Sequence, residues 1–151
     1  PSWRMYSDWV LNLVVVGATL AAVCLCVLTH YEGLLFTSRR LAKLGGPPRV
    51  KVLYAIASVL ALHVAEIWIF GLTIWLLLRN PGFGSLGHAD LHLFDYIYFS
   101  SATFTTVGFG DLAPTGPIRF VAGTEGLTGF VLITWSASFT YLEMERFWRR
   151  N

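Results

Sequence analysis

At 151 residues, with 55 % hydrophobic and only 13 % charged residues, the chain has the length of one domain and the composition of a membrane protein. The net charge of +2 is small, and no basic patch interleaved with stacking aromatics is present, which argues against a nucleic-acid partner. No paired nucleophile and base stands out, so no catalytic residue is assigned and the chain is not read as an enzyme; no cofactor is expected.

Met5 is a candidate natural start. Residues 10–29 contain no charge, and at 1.5 Å per residue they would span about 30 Å, one bilayer core. The run is too long for a signal-peptide core. Cys24 and Cys26 lie inside it, two apart and therefore on different sides of a helix, so no disulfide is expected between them. His30-Tyr31-Glu32 reads as the wet end of this helix. The helix lacks an Arg at every third position, so it is not a voltage sensor. Residues 33–51 then hold Arg39, Arg40, Lys43, Arg49 and Lys51, interrupted by Gly45-Gly46-Pro47-Pro48, and read as a basic linker that stops any helix. A division follows: residues 1–51 as an N-terminal helix plus linker, residues 52–151 as the functional module.

Residues 52–78 predict a second spanning helix, long enough to tilt, ended by Asn80-Pro81-Gly82. Residues 80–93 read as a polar loop. His88 and His92, four apart with Asp90 between them, are either a metal site or part of a solvated loop. Residues 93–105 predict a helix too short to span, which would dip into the membrane and return, with Asp95 placed to favour its N-terminus. Thr115 is a candidate cap for a last helix over 118–141, followed by a charged exit. The whole reads as an all-α membrane protein with three spanning helices and one re-entrant helix. Lys and Arg are counted in short loops to orient such a chain. Five fall in the 33–51 linker, three (Arg146, Arg149, Arg150) in the tail and none in 80–95, so linker and tail are expected in the cytoplasm and the N-terminus outside.

Between the short helix and the last one runs Thr105-Thr106-Val107-Gly108-Phe109-Gly110-Asp111. Two glycines alternate with larger residues, so the backbone there can adopt left-handed conformations and aim successive carbonyls at one axis. Irregular backbone at membrane depth is tolerated where protein buries it or where it lines a watery path. The bland alternative is a Gly-rich turn joining two helices.

This run, with Tyr96-Ile97-Tyr98-Phe99-Ser100-Ser101-Ala102-Thr103-Phe104 before it, resembles the pore signature of the potassium channel superfamily, in the variant with Phe where many members have Tyr. The resemblance covers about residues 94–142 and implies a small prokaryotic-type channel with one added N-terminal helix, passively conducting K⁺ as a homotetramer in a bilayer, by expectation a bacterial inner membrane. Its filter-outward orientation agrees with the charge count. It implies that the carbonyls of Thr106, Val107, Gly108 and Phe109, with the Thr106 hydroxyl, bind K⁺, that Gly110 shapes the outer exit, and that Thr105, Asp111, Tyr98 and Phe99 support the filter. Val107 and Phe109 would pack behind it. Ala102 departs from some bacterial channels, which carry a Glu there bonded toward the aspartate after the filter. Rival readings are a weakly selective cation channel and a non-conducting accessory or sensor subunit.

In the last helix, Gly123, Gly126 and Gly129 form a stripe suited to close packing; Gly129 also aligns with the glycine at which family members bend. Phe130, Ile133, Ala137, Ser138 and Tyr141 are candidate cavity residues, with Tyr141 a candidate constriction. Ionisable residues within spanning segments usually face protein or water. His63 and Glu66 share a helix face and read either as a structural pair, with each other or with Asn12, or as a pH-sensitive gate. Glu125 would bond Ser100, Ser101 or Thr103 behind the filter, or face a cavity and attract cations.

Overall fold

In the computed structural model, residues 7–149 are described; Met5 and Arg150 lie outside them. These residues form four α-helices: α1 (Trp9–Lys43), α2 (Pro48–Leu77), α3 (Leu93–Phe104) and α4 (Ile118–Trp148). Among the described residues there is no strand, only an isolated bridge between Ser85 and Thr115.

Asp8 starts α1 by accepting hydrogen bonds from the Val10 and Leu11 amides at 3.0 and 3.3 Å, which satisfies donors that a helix start leaves open. The helix does not stop at His30-Tyr31-Glu32. It continues to Lys43, where Arg40 and Lys43 favour the negative end of its dipole. At 35 residues α1 is about 52 Å long. His30 is fully buried, not a wet end. Most of the expected linker is therefore helix, and only residues 44–47 connect α1 to α2. Gly45-Gly46-Pro47-Pro48 ends one helix and also begins the next, because Pro48 sits in the first turn of α2, where its fixed φ suits the helix and no amide is lost. So short a connection makes α1 and α2 antiparallel neighbours.

α2 and α3 start and end within a few residues of the predicted bounds, and α4 runs on through the predicted charged exit to Trp148. In α3, Asp95 takes the His92 amide at 2.7 Å. Its 12 residues make about 18 Å, too short to cross a bilayer. Thr115 does not cap α4. It pairs instead with Ser85: the Thr115 amide donates to the Ser85 carbonyl at 2.8 Å, and the two hydroxyls lie 3.0 Å apart.

The core joins all four helices through Val15, Cys26, Phe70, Ile74, Phe104, Val121 and Leu132. Cys24 and Cys26 are free thiols. At one end of the bundle the basic termini meet: the Ser38 hydroxyl donates to Glu143 at 3.4 Å, and the Lys51 ammonium lies 5.1 Å above the Phe147 ring. At the other end the start of α1 meets the start of α4, where Asn12 and Val16 border a crevice with Pro117 and Phe120. Leu13, Leu20, Leu28, Leu60 and Leu76 are exposed. Among the described residues two helices, α1 and α2, are long and apolar enough to cross a membrane. α4 carries Arg119, Glu125, Glu143, Glu145 and Arg146 and is more polar.

Candidate functional site

The segment 105–111 leaves the C-terminal end of α3. The Thr105 and Thr106 amides close the last turn onto the Ser101 and Thr103 carbonyls at 3.1 and 3.0 Å. The backbone then changes hand. Thr106, Gly108 and Gly110 have φ of +62°, +56° and +83°, while Val107 and Phe109 stay outside the left-handed region. In a strand successive carbonyls point to opposite sides; alternating the hand of the backbone brings them to one side. Glycine takes such conformations freely. A β-branched Thr does not, and holding Thr106 there costs about 1–3 kcal/mol. Two hydrogen bonds fix it: the Thr106 amide already described, and the Gly108 amide, which donates to the Ala102 carbonyl at 3.0 Å.

The far end of the segment is held from the side. Tyr98 of α3 donates its hydroxyl to Asp111 Oδ2 at 2.9 Å, and its ring stacks on Phe109 with centroids 6.2 Å apart and planes 7° apart. His88 Nε2 lies 3.2 Å from the Asp111 carbonyl oxygen, to which it donates. His88 thus secures this loop, and His92 begins α3; the pair does not gather into a metal site among the described residues. Phe99, expected with Tyr98 to support the segment, is buried in the core. Val107 and Phe109, expected to pack behind the segment, are 57 % and 70 % exposed in the single chain.

Behind the segment, Glu125 is fully buried and bonded to Ser100, one of the three partners expected for it. The Ser100 hydroxyl also reaches the Ile67 carbonyl at 2.8 Å, so one side chain of α3 joins α2 to α4. Glu125 Oε2 has no partner among the described residues. One turn further along α4, Gly129 lies against the Phe104 carbonyl so closely that a Cβ would collide with it. α4 is continuous there, and in this structure Gly129 allows close packing. Gly126 approaches the Thr103 carbonyl loosely, and Gly123 meets nothing within 4 Å, so the stripe does not pack as one surface in the single chain.

A second polar cluster lies deeper. Glu66 holds two imidazoles: His30 Nδ1 at 2.7 Å from Oε1 and His63 Nδ1 at 2.8 Å from Oε2. The expected His63–Glu66 pair is present, but the third member is His30 and not Asn12. Nothing near His30 in sequence signals this, because its partners lie 36 and 106 positions away. His63 borders a groove of about 430 Å³ between α2 and α4. Of the candidate cavity residues, Ile133, Ala137 and Tyr141 line that groove. Phe130 is 61 % exposed, and Ser138 bonds back to the Thr134 carbonyl at 3.2 Å.

The family model for an ion channel matches residues 59–144, which takes in most of α2, all of α3, the segment 105–111 and most of α4. No curated protein and no solved structure matches the chain. The matched stretch is more than half of the chain and two of the helices are apolar enough for a bilayer, so the protein is a membrane protein and the chain belongs to the ion channel family.

Proposed function

We propose that four copies of this chain surround one axis and conduct K⁺ passively and selectively, with residues 106–110 as the filter. The observation that carries this reading is the alternation of left-handed φ at Thr106, Gly108 and Gly110 in a segment tethered at both ends. Such a backbone offers the carbonyls of Thr106, Val107, Gly108 and Phe109 to one side, where they replace the water shell of a cation. The Thr106 hydroxyl adds the innermost site, and Gly110 leaves the outer mouth open. The negative end of α3 aims at the inner cavity and favours a cation there.

One strand of carbonyls cannot surround an ion, and the exposure of Val107 and Phe109 in the single chain is consistent with further copies completing the shell. In this arrangement α1, α2 and α4 cross the bilayer and α3 re-enters from the outer side. The basic ends of α1 and α4, which meet through Ser38 and Glu143, face the cytoplasm. The N-terminus faces outward.

The test is reversal potential in liposomes with K⁺ on one side and Na⁺ on the other, paired with native mass in detergent. Four chains and a reversal displaced toward the K⁺ equilibrium potential support the proposal. A reversal near zero gives a weakly selective cation channel, and a folded tetramer without flux gives an accessory subunit. A stable monomer or dimer overturns the assembly.

A further inference from the structure

We propose that His30, His63 and Glu66 form a transition-metal site, with Zn²⁺ as its natural occupant, that fastens α1 to the pore module. Three potential ligand atoms, one from each residue, lie within 4.8 Å of one another. They come from two helices and gather around one carboxylate, with His30 Nδ1 facing Oε1 and His63 Nδ1 facing Oε2 of Glu66. His30 and Glu66 are fully buried, and the His63 side chain retains 13 % exposure on the side of the 430 Å³ groove. Two imidazoles and one carboxylate, with a fourth position open to water, are a donor set that Zn²⁺ takes, and imidazole favours such borderline cations over Mg²⁺ or Ca²⁺.

Charge and proton placement both favour an occupant. With neutral imidazoles, Glu66 is a single negative charge enclosed in an apolar bundle, offset in part by its hydrogen bonds to His30 and His63. A divalent cation held by the three would supply a full compensating charge. On metal binding each imidazole offers Nδ1 and carries its proton on Nε2. For His30 that proton has an acceptor, because Ser136 Oγ of α4 lies 3.2 Å from Nε2. Metal-ligating histidines are commonly oriented through the second nitrogen in this way, so Ser136 is a positioning residue here. His63 also contacts the Phe104 ring, with centroids 5.8 Å apart. Phe104 ends α3 directly before the segment 105–111, so the site sits one ring contact from the pore.

The experiment uses the full chain in detergent, titrated with Zn²⁺ by calorimetry and with Co²⁺ read by visible absorption. One metal per chain is expected, with the intense d–d bands of a four-coordinate site. Glu66→Gln keeps the side-chain shape and should abolish saturable binding. Ser136→Ala should weaken it about tenfold. His63→Cys should retain Zn²⁺ binding and shift the Co²⁺ spectrum toward thiolate charge transfer, an outcome that a purely structural His63 would not produce. The double variant His88→Gln, His92→Gln should bind as wild type. No saturable binding by wild type overturns the proposal. So does loss of binding in the His88, His92 variant with retention in Glu66→Gln. Helical circular dichroism of each variant separates lost ligation from lost folding. The readout is metal binding and not flux, so it stands or falls independently of the channel reading.

Discussion

Gly129 of α4 sits where the Phe104 carbonyl, at the end of α3, leaves no room for a side chain. The contact sets how close α4 comes to the root of the segment 105–111. Glycine within a helix costs about 1 kcal/mol relative to Ala, so a residue that only filled the helix would gain from substitution. Gly129→Ala should instead destabilise by about 1–3 kcal/mol, as overpacking does. Gly123→Ala, which adds a methyl where nothing lies within 4 Å, should be neutral or stabilising by up to about 1 kcal/mol. Thermal unfolding of both variants in the same detergent checks the contrast. Equal effects would show that Phe104 does not constrain Gly129.

Ser100 is the polar joint between α2, α3 and α4. Removing its hydroxyl takes away the extra hydrogen bond on the Ile67 carbonyl of α2 and leaves both oxygens of Glu125 without a partner among the described residues. Leaving buried polar groups unsatisfied costs about 1–3 kcal/mol, so Ser100→Ala should destabilise by that amount. Once the carboxyl is gone, the same substitution should cost less. A double-mutant cycle with Glu125→Leu should therefore show coupling of at least about 0.5 kcal/mol between the two sites. Strict additivity would mean that the bond contributes nothing.

How much of this was legible in the sequence follows the range of the contacts. Residues 93–104 were readable as a short helix because apolar spacing, Asp95 and the flanking loops are all local. The segment 105–111 was readable because its glycines and its neighbours stand together. Glu125 was readable as a partner of Ser100, Ser101 or Thr103 because all flank that segment, but which of the three was not. His30 was not. Followed by Tyr31 and Glu32, it looks like the end of an apolar run. It is instead the member of the buried cluster that comes from α1, made tolerable by Glu66 and Ser136 from other helices. Thr115 failed in the same way: locally it resembles a cap, but its hydroxyl and amide are engaged by Ser85, thirty positions earlier. Gly123, Gly126 and Gly129 form one stripe in sequence, yet only Gly129 meets a neighbour closely, because α3 ends there.

The clustering of basic helix ends carries a prediction about topology. A cysteine at Gly45, an exposed position in the α1–α2 connection, should be unreachable by a membrane-impermeant thiol reagent added outside. A cysteine at Ser2 should be labelled. The native thiols provide the background, measured on the unmodified chain. The reverse labelling pattern would place the Arg40 and Lys43 end of α1 outside, and both the proposed orientation and the proposed outward-facing filter mouth would be lost with it.

Gly108 decides the functional reading. Its φ of +56° is open to glycine and strained for Ala by roughly 1–2 kcal/mol. No atom lies within 4 Å of where the added Cβ would stand, so the penalty is conformational and not a collision. The local answer to such strain is to rotate the 107–108 peptide, which takes the Val107 carbonyl off the shared side. That peptide touches the helices through one bond, from the Gly108 amide to the Ala102 carbonyl at the end of α3, so Gly108→Ala should keep most of its helical content and its mass as an assembly while losing preference for K⁺ over Na⁺. Thr106→Ala should behave differently. It removes one hydroxyl at the inner end and leaves the carbonyls in register, so conduction and most of the selectivity should persist while block by cations from the inside weakens. Reversal potentials in mixed K⁺ and Na⁺ distinguish the two. If Gly108→Ala retained wild-type preference, the carbonyls of residues 106–109 would not be the selecting groups, and the site would have to be sought elsewhere along α4.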